Sequence, residues 1–125
     1  VKRGAWRVTT ALAASWLTLA AMEAAAHAYL QRSEPPANAV LQRPPAELRL
    51  RYSEAVEPSF LDVRLLRAGQ PVQGLKLPQV DKDGKTVRVA LPSGIEAGDY
   101  EVRWRIVAKD GHPTEGRLAF RIGAR

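Results

Sequence analysis

The residues with the greatest capacity for chemistry are two histidines, His27 and His112, the only two in a chain of 125 residues. His112 lies in Lys109-Asp110-Gly111-His112-Pro113. His27 follows Glu23-Ala24-Ala25-Ala26, small residues of the kind a signal peptidase reads. If the chain is cut after Ala26, His27 becomes a first residue whose free amine and ring Nδ1 can close a six-membered chelate on one ion. Asp110 and His112 can add an oxygen and a nitrogen. Three nitrogens and one oxygen, without sulfur, suit tetragonal Cu(II) better than tetrahedral zinc or hard Mg²⁺. The same residues also have a plainer reading. An Asp-Gly between two strands is ordinarily a hairpin turn, with its neighbouring histidine simply on the surface.

Other chemistries fail on inventory. The chain has no cysteine, which excludes disulfides, zinc–thiolate sites, iron–sulfur clusters and blue-copper centres. It has no nucleophile elbow, no glycine-rich loop opening a helix and no histidine pair spaced four apart on a helix. Asp81-Lys82-Asp83-Gly84 resembles a calcium loop only briefly, because Lys85 and Pro92 fall where that loop needs oxygen ligands. It reads as a hairpin turn between Val80 and Val87. The expectation is a binding protein and not an enzyme.

The elements that must position these residues divide at residue 27. Lys2, Arg3 and Arg7 open the chain, and Val8 to Met22 carries no charge. With the small residues that follow, residues 1–26 have the three-part pattern of a secretory signal peptide, too short in its apolar run for a comfortable permanent span. Ala26-His27-Ala28 is a second small-x-small triplet, and cleavage after Ala28 would discard His27. Removing residues 1–26 lowers the formal charge from +6 to +4. The remaining basic residues are scattered, with no basic helix and no RNA-binding motif, so nucleic acid is not expected as a partner.

From residue 27 to residue 125 the hydrophobic period is two. Leu48, Leu50 and Tyr52 alternate with Arg49, Arg51 and Ser53, and Val63 and Leu65 with Asp62 and Arg64. Val87, Val89 and Leu91 form a further stripe, as do Tyr100, Val102, Trp104 and Ile106, and Leu118, Phe120 and Ile122. Proline and glycine pairs punctuate these runs. With Tyr29 to Arg32 and a weak strand near Val72, about seven strands are expected, an all-β Greek-key sandwich or barrel with Trp104 at the centre of its core.

At these residues the sequence resembles the CopC family of periplasmic copper-binding proteins. The resemblance runs from His27-Ala28-Tyr29-Leu30 and Ser33-Glu34-Pro35 through Leu48-Arg49-Leu50-Arg51-Tyr52-Ser53-Glu54 and Val56-Glu57-Pro58. It continues in Gly98-Asp99-Tyr100, Val102-Arg103-Trp104-Arg105-Ile106-Val107 and Asp110-Gly111-His112-Pro113. It implies a seven-stranded cupredoxin-like or immunoglobulin-like sandwich that holds one Cu(II) in the periplasm through His27, Asp110 and His112. Glu54 falls where some members place a further acidic ligand or water-holding group; as a residue alone it is an exposed strand-end carboxylate. Some members carry a methionine-rich Cu(I) site. The only methionine here is Met22, inside the expected leader, so no Cu(I) site is expected. The implied role is sequestration or delivery of copper in resistance or supply, by a soluble monomer that meets a membrane copper transporter or another periplasmic copper protein. The rival readings are a copper oxygenase with a histidine brace and a metal-free extracellular interaction module. Copper ligation also needs the amine and imidazoles unprotonated, and their ordinary pKa values are about 8 and 6.5.

Overall fold

A computed structural model describes residues 27–123, together with Gly4. The expected leader, residues 1–26, otherwise lies outside the described residues. The described residues hold nine strands and no helix: β1 (Leu30–Glu34), β2 (Val40–Leu41), β3 (Glu47–Tyr52), β4 (Val56–Arg67), β5 (Gln70–Pro71), β6 (Gln79–Val80), β7 (Thr86–Ala90), β8 (Gly98–Ala108) and β9 (Pro113–Ile122). They form a four-stranded sheet in the order β1-β3-β7-β6 and a five-stranded sheet in the order β2-β9-β8-β4-β5. All neighbours are antiparallel except β2, which pairs in parallel with β9. The fold is an all-β sandwich, as its alternation requires.

The stripes read from the sequence are the inner faces. Leu48, Leu50 and Tyr52 of β3, Val87 and Val89 of β7, Val63 and Leu65 of β4, Tyr100 to Ile106 of β8 and Leu118 to Ile122 of β9 meet in one cluster. Nine strands replace the expected seven because β2 and β6 have two residues each, too few to show a period. The weak strand near Val72 is β5. The turn expected between Val80 and Val87 is present, with those two residues paired. Asp83 spends its carboxylate inside that turn, accepting from the Lys85 and Thr86 amides and the Thr86 hydroxyl. Those hydrogen bonds, led by the Thr86 hydroxyl, hold Asp83 below the usual carboxylate range.

Trp104 lies in the buried core cluster, where Tyr52 beside it is the more completely buried. Trp104 is 8% exposed, whereas Tyr52 is 0% exposed and meets it edge to face at 5.1 Å. Trp104 packs over Gly116 of the neighbouring strand. At the other end of β8, the Tyr100 hydroxyl donates to the Glu96 carbonyl at 2.5 Å. Such a tyrosine corner ties a strand to the connection that feeds it. Replacing Tyr100 by Phe keeps the stack on Phe120 and removes that bond. The expected loss is about 1 kcal/mol of unfolding free energy, measured by urea denaturation.

Candidate metal centre

Three backbone features assemble one end of the sandwich. The first strand is clipped at its start by Ser53, whose amide donates to the Tyr29 carbonyl at 2.9 Å while its Oγ accepts from the Tyr29 amide at 3.0 Å. The side chain of Ala28 is buried, so the chain enters the core one residue after His27. The β3–β4 crossover passes between this segment and the β8–β9 hairpin, since the Lys109 amide donates to the Ala55 carbonyl at 2.9 Å and Val56 pairs with Ala108. Sequence reasoning passed over Ser53 and Ala55. Their signal is contact across the fold, which no local pattern carries.

The hairpin itself is dictated by Asp110-Gly111. The Gly111 amide donates to the Ala108 carbonyl at 2.8 Å, and the Ala108 amide donates to the His112 carbonyl at 3.0 Å. Gly111 has φ of 90°. This is a three-residue loop closed by a glycine in the left-handed region, and the glycine is needed for its backbone and not for space, since nothing lies within 4 Å of a Cβ placed there. Asp110 Oδ1 accepts the His112 amide at 3.0 Å, a side-chain-closed turn that sets where His112 leaves the loop. Substituting Gly111 by Ala is expected to cost about 1–2 kcal/mol, read by thermal or urea unfolding, with no clash to relieve.

This geometry brings His27 and His112 together. Their rings meet edge to face, with centroids 4.7 Å apart and planes at 83°. His112 Nδ1 also lies 3.2 Å from Asp110 Oδ2. The hydrogen bond from the His112 amide, then the neighbouring imidazoles, hold Asp110 below the usual carboxylate range. A depressed carboxylate adds stability above its unfolded pKa and loses it as pH falls through its folded one. Asp110 therefore stays an anion under neutral conditions.

Glu54 lies exposed in the bend between Ser53 and Ala55, at the same end of the sandwich. Among the described residues no group of three or more histidine, aspartate or glutamate side chains is already arranged to hold a metal ion. The Asp110 oxygens are both turned to His112, and in the unprocessed chain the nitrogen of His27 is an amide bonded to Ala26, not an amine. What the structure brings together is the pair of imidazoles, with Asp110 held against His112 alone.

Among the described residues no helix is long and apolar enough to cross a membrane. Residues 30–123 match the CopC domain family. The chain is 32% identical over 98 residues to protein YobA of Escherichia coli K12, covering 78% of this chain and 79% of that protein. It is 30% identical over 113 residues to copper resistance protein C of Xanthomonas campestris pv. juglandis, covering 84% of this chain and 87% of that one. Among solved structures it is similar to PcoC, a methionine-rich copper resistance protein from Escherichia coli, with a TM-score of 0.70 and 29% identity over 78% of this chain and 100% of that chain. Two packed sheets, a tyrosine corner, a histidine-bearing Asp-Gly hairpin and the family match lead to one conclusion: the chain belongs to the CopC domain family.

Proposed function

We propose that this chain is a periplasmic protein that binds one Cu(II), for sequestration or delivery, without performing chemistry on it. The observation that carries the reading is the approach of the His27 and His112 rings to 4.7 Å from opposite ends of the domain sequence. Membership of a family whose relatives are named for copper resistance supports copper as the cargo. In the proposed site the amine and ring of His27 form a chelate once residues 1–26 are removed, and His112 and Asp110 complete a near-planar set. Both imidazoles are exposed, so the ring rotations that closing on an ion requires are fast and inexpensive. Glu54 is an exposed carboxylate at the same end, suited to a further oxygen contact or to holding a water. No thioether is present from residue 27 onward, which favours Cu(II) over Cu(I).

Isothermal titration of the protein beginning at His27 tests this: one equivalent of Cu(II) binds tightly, and the bound ion gives a tetragonal nitrogen-rich electron paramagnetic spectrum. Absence of a tight equivalent would leave a metal-free sandwich module. Protons compete for an amine and for imidazoles, so affinity falls as the pH drops below about 6. Affinity that stays constant between about pH 5 and pH 8 would contradict this ligand set.

A further inference from the structure

The outward face of the five-stranded sheet carries a feature that copper binding does not use. Arg64 of β4 stands opposite Arg103 of β8, and Arg103 stands opposite Arg117 of β9. Three arginines thus form one row across three neighbouring strands. Like charges directly opposite one another in an antiparallel pair are destabilising, so solubility alone does not favour such a row. The other sheet has two opposed arginine pairs, Arg32 with Arg51 and Arg49 with Arg88, but neither extends to a third strand's arginine. The next row of the same face reads Asp62, Arg105, Glu115, alternating in sign. On the other sheet Arg88 reaches across to Glu47 of the neighbouring strand at 4.0 Å.

In the arginine row no ion pair among the described residues crosses between strands. The two that form run along a strand, from Arg64 Nε to Asp62 Oδ1 at 3.3 Å and from Arg103 Nε to Glu101 Oε1 at 2.7 Å. In both, the closest approach to the carboxylate is by Nε. The Arg64 and Arg103 side chains are 68% and 55% exposed. Arg64, Arg103, Arg105 and Arg117 line one shallow depression with Asp62 and Glu115.

We propose that this row is a binding site for a tetrahedral oxyanion of the phosphate or sulfate class. A guanidinium presents its nitrogens as a planar fork that matches such an anion two atoms at a time, and three forks side by side can surround a single one. The carboxylates of Asp62, Glu101 and Glu115 border the row, so an extended polyanion meets more of them than a single small anion centred on the arginines does. The site lies on a sheet face and stands independently of the copper reading.

The test is thermal unfolding of the protein in inorganic phosphate and in chloride at equal ionic strength, with the variants Arg103→Gln and Arg117→Gln. Arg49→Gln, on the other sheet, serves as control. Phosphate is expected to raise the midpoint of the wild type and of Arg49→Gln by several degrees more than chloride does. Arg103→Gln and Arg117→Gln should lose most of that difference. Without phosphate, Arg103→Gln should melt no lower than the wild type, because a like-charge contact has been relieved. An equal rise in chloride, or a phosphate response retained in both variants, would overturn the proposal.

Discussion

Protein that begins at His27 should bind Cu(II) at least about a hundredfold more tightly than the same protein with Ala26 retained. Disturbing residues that only orient metal ligands already costs about 10- to 100-fold, and the extension does more. It converts the amine of His27 into an amide and abolishes a chelate ring while leaving the imidazole in place. The comparison therefore separates the amine from the ring, which His27→Ala alone does not. The readout is competition titration against a chelator of known Cu(II) affinity, at neutral pH. The extended protein should still melt like the parent, because the chain enters the core only at Ala28, 2% exposed, one residue beyond the change. Equal affinity for the two forms would remove the amine from the ligand set. Direct sequencing of the exported protein then decides whether the first residue is His27 or Tyr29.

The second large effect is structural. Trp104→Ala should cost about 3–5 kcal/mol, a large part of the total stability of a domain this size. No disulfide supplements the core. Gly116→Ala should also be costly, since a Cβ at that position would lie 2.5 Å from Trp104 Cζ2 and 2.9 Å from Cε2. A contact that close forces the ring or the strand to move, and overpacking of this kind costs about 1–3 kcal/mol. The two sites are coupled, so a double-mutant cycle gives the sharper test. With Trp104 already reduced to alanine, the added methyl group meets no ring, and Gly116→Ala should cost less than about 1 kcal/mol. Urea unfolding of the four proteins measures all of this. Additive costs would mean that Gly116 is needed for some reason other than the indole above it. The ring and the glycine are cross-strand partners, so the effect tests the β8–β9 register as well as the packing.

The alternation of Leu48, Leu50 and Tyr52, and of Tyr100, Val102, Trp104 and Ile106, was legible in the sequence because side-chain direction in a strand reverses at every residue. Burying one face of each strand therefore leaves a local imprint. Asp110-Gly111 was legible as a turn for a similar reason: the loop demands one residue with positive φ, and glycine meets that demand cheaply. The short strands β2 and β6 left no imprint, since two residues cannot show a period of two. Size and apolar flanks placed Trp104 on the inner face, where the structure has it, but do not say how deeply a residue is buried. That depth depends on the opposite sheet, where Tyr52 occupies the deeper position.

What the sequence determined by itself was the class of fold, the inward and outward faces, the absence of thiolate chemistry and the identity of the residues with metal-binding capacity. Tertiary structure alone decided that His27 and His112 meet and that Asp110 turns both oxygens toward His112. It also decided that Arg64, Arg103 and Arg117 fall in one row. The physical reason is common to all of these. Each depends on register and on which turns share an end of the sandwich, and these are set by pairing between segments distant in the chain. Local pattern records the face of a strand but carries no record of its neighbour.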